Sequence, residues 1–344
     1  MFNICKWIKN NIVVVLICVI GILGYAGYGV YIWKSQQSKH VTIGSEIGAS
    51  IGSSNSAYAV ITYNGHKYQY NPNMTNILYA GIDSKGELKE TAKFGDKPRA
   101  DSIFLLAINK PEKKMTVISI NRDTITDIRR FSINGNDLGT YKTHIGYAYS
   151  YGNGGTVSCS NLEEAVSTLL YNVPIDEYVI TNQTSIPYLN RLVDGVTVTV
   201  PNDDLVELHS NMAKGKTIEL NDDNVTDYLH YRDTNKDFSN VGRLERQQAY
   251  MTAFFDKLKL EIDNNNYTTL WNRFNDMKQY LQTSITKSKY NHLMNLIDIV
   301  NFSDDYYSIQ GENTASIGDS YDEFHYDEIT LKEKVLEVFY TQVQ

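Results

Sequence analysis

Residues 12 to 33 form an unbroken apolar run of 22 residues with no charged or strongly polar side chain. At about 1.5 Å per residue a helix of that length spans roughly 33 Å, enough to cross the hydrocarbon core of a bilayer. A cleaved signal peptide has a shorter apolar core followed by a small-x-small site, whereas this run ends in Tyr31, Ile32, Trp33 and Lys34. The pattern therefore predicts an uncleaved transmembrane anchor over 12–33. The tail at 1–11, with Lys6 and Lys9, is expected on the cytoplasmic side of the cell membrane. A single-pass topology then places the C-terminal part outside, where Cys159 is the sole cysteine and no intrachain disulfide can form.

Charge is distributed unevenly along the chain. Asp and Glu number 40 against 32 Lys and Arg, but the last 44 residues hold ten of the acids and only Lys332 and Lys334 as bases. Residues 34–300 carry 28 bases and 30 acids, so the body is close to neutral. A near-neutral body without a basic recognition helix excludes nucleic acid as an expected partner.

The segment 34–57 is rich in Ser and Gly and reads as a flexible stalk. A β-hairpin is predicted over 58–73, turning at Asn64-Gly65, the pair best suited to a type I′ turn. Runs at 76–82, 102–108 and 115–120 are rich in Ile, Val and Leu and read as buried central strands. Ser160 and Glu163 form a capping-box pattern that predicts a helix to about Tyr171. Further strands are expected at 178–181 and 196–200, with a helix at 189–193 between them. Helices are expected at 223–231, 241–262, 266–282 and 286–299, then an edge strand at 306–310 and a last helix at 331–340. Strands alternating with helices, followed by a helical run, predict one α/β (α+β) domain of three layers over 74–344, with a central mixed sheet flanked by helices.

Common catalytic signatures are absent: there is no HExxH, no GxSxG, no GxxxxGK[ST] and no Cys/His metal spacing. Arginine carries the signal instead. Only nine arginines stand against 23 lysines, yet seven of them (Arg99, Arg122, Arg129, Arg130, Arg232, Arg243 and Arg246) fall in polar clusters at element ends. A planar guanidinium donates two parallel hydrogen bonds and clamps phosphate better than a flexible ammonium does, although pairing with neighbouring carboxylates is the plain alternative for each. Arg243, Arg246, Gln247 and Tyr250 share one helical stripe, and Leu244, Met251, Phe254, Phe255 and Leu258 are expected on the opposite, core-facing one. Two guanidiniums side by side call for an anion between them, and a pyrophosphate satisfies both. Asp83 closes one predicted strand and Asp101 opens another, so both are expected at one edge of the sheet, where carboxylates suit a hard cation such as Mg²⁺ or Mn²⁺. Turn capping or pairing with arginine is the alternative there.

The ordered motifs GID at 81–83, RADS at 99–102, SINRDT at 119–124, YKTHIGYAYSYG at 141–152, IDEYV at 175–179, LVDGVTV at 192–198, YLHYR at 228–232 and GRLERQQ at 242–248 resemble the LytR-CpsA-Psr family. The resemblance covers a motif-bearing core at 74–262 and leaves 263–344 as a helical and acidic extension. It implies a membrane-anchored phosphotransferase of Gram-positive bacteria that moves a glycopolymer, such as wall teichoic acid or capsule, from undecaprenyl pyrophosphate to peptidoglycan. By the same resemblance Asp83 and Asp101 hold the metal, and Arg99, Arg122, Arg232, Arg243 and Arg246 hold the pyrophosphate, with Gln247 in support. Asp101 and Asp123, the latter beside Arg122, are the candidate general bases. Two departures stand out. His230 occupies a position that is usually arginine in the family, and the loop at 233–241 is longer than usual, with Lys236 a candidate to compensate. His230 keeps a second reading open, a lipid- or wall-binding regulator without turnover, and a pyrophosphatase is a third.

Overall fold

Strand β4 (Ala100–Asn109) shows how the layers arise. Ile103, Leu105 and Ala107 enter one hydrophobic core, while Phe104, Leu106 and Ile108 enter another on the opposite face. A strand buried on both faces has no polar side to present, which is why it reads as a continuous apolar run. The computed structural model describes residues 60–233, 239–264, 269–270, 272–273, 276–285, 305–314 and 322–343. The predicted tail, anchor and stalk, the helix at 286–299 and the loop centre at 234–238 lie outside the described residues. Among those described, no helix is long and apolar enough to cross a membrane.

The chain begins with β1 (Val60–Tyr63) and β2 (His66–Tyr70), joined at Asn64 and Gly65, whose φ angles are 51° and 80°. Next come β3 (Met74–Ile82), β4, β5 (Lys114–Ile120) and a hairpin of β6 (Ile125–Phe131) and β7 (Asp137–His144). A short α1 (Tyr147–Ser150) precedes α2 (Thr156–Leu169) and β8 (Glu177–Asn182). Then follow α3 (Ile186–Leu192), the pair β9 (Val196–Thr199) and β10 (Thr217–Leu220), α4 (Val225–His230) and the long α5 (Ser239–Asp263). The C-terminal part supplies β11 (Leu281–Thr283), β12 (Tyr306–Ser308), β13 (Gly311–Thr314), β14 (Glu323–Tyr326), α6 (Glu328–Phe339) and β15 (Tyr340–Val343).

The central sheet has six strands in the order β11-β8-β3-β4-β5-β12 and is mixed, with β8 parallel to β3 and β12 parallel to β5. Helix α5 covers one face through Phe254 and Leu258, and α2 and α6 cover the other through Leu162, Val166, Val335 and Phe339. The three-layer α/β architecture with a central mixed sheet is therefore present.

Several boundaries differ from the sequence expectation. Helix α2 starts at Thr156, ahead of the Ser160–Glu163 box, because the chain turns in through Gly154 and Gly155: Gly154 donates its N–H to Ser158 Oγ and Gly155 to Asn153 Oδ1. The helix expected to 282 is broken by residues 281–283, which pair antiparallel with Thr181–Val179 as an edge strand. The C-terminal extension is part of the fold, since it adds both outer strands of the central sheet, and β15 pairs with β2 to tie the hairpin to the chain's end.

Candidate functional site

Four strand ends meet at one side of the sheet. Asp83 follows the C-terminal end of β3, Asp101 opens the antiparallel β4, Arg122 and Asp123 follow β5, and Gln183 follows β8, which runs parallel to β3. The ends of parallel strands are where open α/β sheets place ligands.

Asp101 is the hub. Its Oδ1 accepts from Arg122 Nη1, its Oδ2 accepts from Arg243 Nη1 at 2.9 Å, and its backbone carbonyl accepts from Arg243 Nη2 at 3.1 Å. Burial alone raises the pKa of such a carboxyl, but the charges of Arg243 and Arg122 outweigh it and hold Asp101 below the usual carboxylate range. Arg243 is fully buried in the first turns of α5, where Asn240 Oδ1 accepts from its Nε and Nη2. Asn240 in turn donates to Asn121 Oδ1 at 2.5 Å and fastens the helix start to the end of β5. Arg122 Nε lies 3.3 Å from Asp123 Oδ1. Burial and the repulsion of Arg122 and Arg99 lower the pKa of Arg232, which marks a cation in an electropositive field. Arg99 donates to the Tyr147 hydroxyl at 3.2 Å, with its guanidinium carbon 5.0 Å from the centre of that ring.

His230 ends α4 with Nε2 3.3 Å from Asp83 Oδ1 and 3.8 Å from Asp101 Oδ2. Hydrogen bonding from His230 is the largest influence that lowers the Asp83 pKa, with Gln183 and Arg122 adding to it against the effect of burial. Ligand atoms of Asp83, Asp101 and His230 all lie within 4.8 Å of one another, close enough to share one cation. Carboxylate oxygens fit Mg²⁺, and the imidazole adds a nitrogen donor.

A cleft partly open to solvent runs from Asp101, His230, Arg243 and Gln247 along the face of the sheet under α5. Its inner walls are Tyr79, Phe104, Leu106, Leu189, Tyr250, Phe254 and Phe255. Gln247 donates to Ser102 Oγ at 2.7 Å and to the Leu229 carbonyl at 3.1 Å, so it fixes the entrance.

Two expectations need correction. Arg246 is not part of the group around Asp101: it is fully buried and donates to the carbonyls of Tyr228 and Tyr231, to Asn202 and, at 2.8 Å, to Asp204. It therefore braces the end of α4. The two stripes of α5 are also not opposed, because Tyr250, Phe254 and Leu258 continue the buried line that begins at Arg243 and Arg246. Seven and eleven residues are nearly whole numbers of helical turns, so these positions stack on one face. Arg129 pairs with Glu164 and Asp137, and Arg130 lies over the rings of Tyr141 and Tyr151, so neither joins the cluster around Asp101. Sequence reasoning missed Gln183, Asn121 and Asn240. Gln183 carried a usable signal, since it directly follows a central strand at its C-terminal end.

A mixed sheet between helical layers, with an apolar cleft ending in buried guanidiniums and carboxylates, defines an α/β protein with its site at the sheet's strand ends. The chain belongs to the LytR_cpsA_psr family, whose model matches residues 37–334. It is similar to the polyisoprenyl-teichoic acid–peptidoglycan teichoic acid transferase TagT of Bacillus subtilis (strain 168), with 29% identity over 54% of this chain and 52% of TagT. The chain thus spans about half the length of that relative. Two transferases of the same description named TagU match further: that of Bacillus licheniformis at 27% identity over 78% of this chain and 80% of the relative, and that of Bacillus mycoides (strain KBAB4) at 30% over 71% of each. Among solved structures, TagT bound to LI-WTA superposes with a TM-score of 0.56 at 20% identity, covering 78% of this chain and 90% of that one. Protein gbs0355 of Streptococcus agalactiae gives 0.57 at 20% identity, covering 79% and 90%. These structural likenesses establish the fold.

Proposed function

We propose that the chain is a membrane-anchored phosphotransferase of the cell surface, which moves a glycopolymer from an undecaprenyl-pyrophosphate carrier to peptidoglycan. One observation carries this reading: a single cleft is apolar along Tyr79, Phe104, Leu106, Tyr250 and Phe254 and charged at one end, where Asp101, Arg243 and His230 stand. Such a cleft suits an amphiphile with a long hydrocarbon tail and an anionic head. The names of the relatives, transferases of polyisoprenyl-linked teichoic acid, support the same reading, and the apolar run at 12–33 supports a membrane anchor with the site outside the cell.

In this reading the polyprenyl tail lies inward and the pyrophosphate meets Arg243, Arg122, Arg232 and Arg99. Four guanidiniums against the three carboxylates of Asp83, Asp101 and Asp123 give the group a formal excess of one positive charge, counting Arg and Asp alone. Asp83 and Asp101 are the residues to hold Mg²⁺ or Mn²⁺, whose chemistry there is neutralisation of phosphate charge. A muramic acid hydroxyl attacks the phosphorus next to the glycan. Its new O–P bond forms as the bond to the bridging oxygen breaks, and undecaprenyl phosphate leaves with that electron pair. The hydroxyl proton passes to a carboxylate. Both oxygens of Asp101 already accept from guanidiniums, so Asp123 is taken as the carboxylate that receives the proton. Positioning and electrostatics carry most of the acceleration in phosphoryl transfer.

The test uses lipid-linked donor, peptidoglycan oligomers and Mg²⁺ with Arg122→Ala and Asp101→Ala. Transfer should fall by about 100-fold or more in each, the scale of losing one preorganised charge. Wild-type transfer by both variants would overturn the assignment.

A further inference from the structure

We infer that His230 is a metal ligand in this chain and that the site at Asp83, Asp101 and His230 takes a divalent transition-metal ion, Zn²⁺ or Mn²⁺, in preference to Mg²⁺. The inference deepens the proposed function and rests on its reading of Asp83 and Asp101 as a metal site.

The amide nitrogen of Gln183 contacts both Asp83 Oδ1 and His230 Nε2, the latter at 2.7 Å. Turning the amide over would set its oxygen against the Asp83 carboxylate, so the nitrogen faces both groups. The imidazole has two neutral tautomers: Nε2–H hydrogen-bonds the Asp83 carboxylate, and Nδ1–H leaves the Nε2 lone pair to accept from Gln183 or to bind a cation. The Nε2 lone pair then lies 3.3 Å from one carboxylate oxygen and 3.8 Å from another. In the Nδ1–H tautomer three donor atoms, one from each of Asp83, Asp101 and His230, converge within 4.8 Å of one another, close enough for one divalent ion to bind all three. Each of the contacted carboxylate oxygens keeps a second lone pair beyond its hydrogen bond.

A second observation points to a ligand at the same place. Asn182 Oδ1 and Gln247 Oε1 are buried, belong to residues lining the cleft around His230, and have no hydrogen-bond partner. Unsatisfied buried oxygens at a cleft call for water or a cation-bound ligand. Two carboxylates with one imidazole form a mixed oxygen and nitrogen set. Imidazole favours transition metals, whereas Mg²⁺ demands oxygen and keeps its water. Arginine at position 230 would present a cation where this chain presents a donor.

The experiment titrates the full-length chain in detergent with Mn²⁺, Zn²⁺ and Mg²⁺, alone and with undecaprenyl pyrophosphate. Binding is followed by calorimetry and, for Mn²⁺, by pulsed electron paramagnetic resonance, in the native chain and in His230→Arg and His230→Gln. The native chain should bind Mn²⁺ and Zn²⁺ at least about tenfold more tightly than Mg²⁺, with ¹⁴N coupling from a bound imidazole, and both variants should lose the coupling and the preference. Equal Mn²⁺ binding in all three chains without nitrogen coupling would overturn the role of His230 and leave the carboxylate metal site standing. Absence of binding by any of the three ions, with and without the lipid, would overturn both.

Discussion

Arg243 grips Asp101 twice, through the side-chain carboxylate at 2.9 Å and through the backbone carbonyl at 3.1 Å. The pair joins the first turns of α5 to the first residues of β4. A single contact thus sets the position of the site carboxylate and the docking of the helix that walls the cleft, and fold and site share it.

Replacing Asp101 with Asn keeps the shape and removes the charge, which leaves two buried guanidiniums without their counter-ion. We expect a loss of about 4 kcal/mol at neutral pH, the scale of breaking a buried pair. The folded-state pKa of Asp101 lies below its unfolded value, so its contribution is fully present above about pH 3.9 and disappears as the pH falls through the folded value. The gap in Tm between native chain and Asp101→Asn should therefore narrow below about pH 4, as read by calorimetry across a pH series.

Arg246 makes a contrasting prediction. Its guanidinium is spent on Tyr228, Tyr231, Asn202 and Asp204. Arg246→Lys keeps the charge but loses the fork, and should lower stability by about 3 kcal/mol. Donor affinity of the folded fraction should stay within about threefold of native, less than the tenfold that corresponds to about 1.4 kcal/mol. Direct lipid-binding measurements at a temperature well below Tm separate the two effects.

The cleft predicts a dependence on chain length. Ile186, half-buried in α3, lines it without belonging to the charged end. Ile186→Trp should weaken binding of a full-length polyprenyl donor by about tenfold, worth about 1.4 kcal/mol. A donor with a short prenyl chain should be affected far less. Equal losses for both lengths would mean that the tail lies elsewhere.

Gly152, in the motif YKTHIGYAYSYG, tests how backbone packing supports α2. A methyl group there would sit 2.5 Å from the Ser158 Cα and 2.6 Å from its nitrogen. Backbone cannot yield as a side-chain tip does, so Gly152→Ala should destabilise by about 2 kcal/mol, measurable by urea denaturation.

The central strands were legible because burial on both faces writes them as unbroken apolar runs: 102–108 expected against Ala100–Asn109 found. The hairpin of β6 and β7 was not legible. Its sequence ITDIRRF buries only Thr126 and Ile128, a bulge between Arg129 and Phe131 breaks the alternation, and β7 is mostly exposed. Asp83 and Asp101 could be placed at one sheet edge because one closes a strand and the other opens the next. Arg243 and Arg246 could not be told apart, since helical spacing puts both on one face and only the tertiary partners, Asp101 for one and Asp204 for the other, divide their roles. Gln183 escaped notice because an uncharged amide does not stand out by charge, although its place directly after a central strand was a usable signal.

Transfer is distinguished from hydrolysis and from simple binding by its products. The full-length chain would be incubated with an undecaprenyl-pyrophosphate-linked glycan, peptidoglycan oligomers and divalent metal, and the products resolved by mass spectrometry. A phosphodiester-linked glycan–peptidoglycan conjugate is expected, together with undecaprenyl phosphate. Free phosphorylated glycan, or donor recovered bound and unchanged, would contradict transfer.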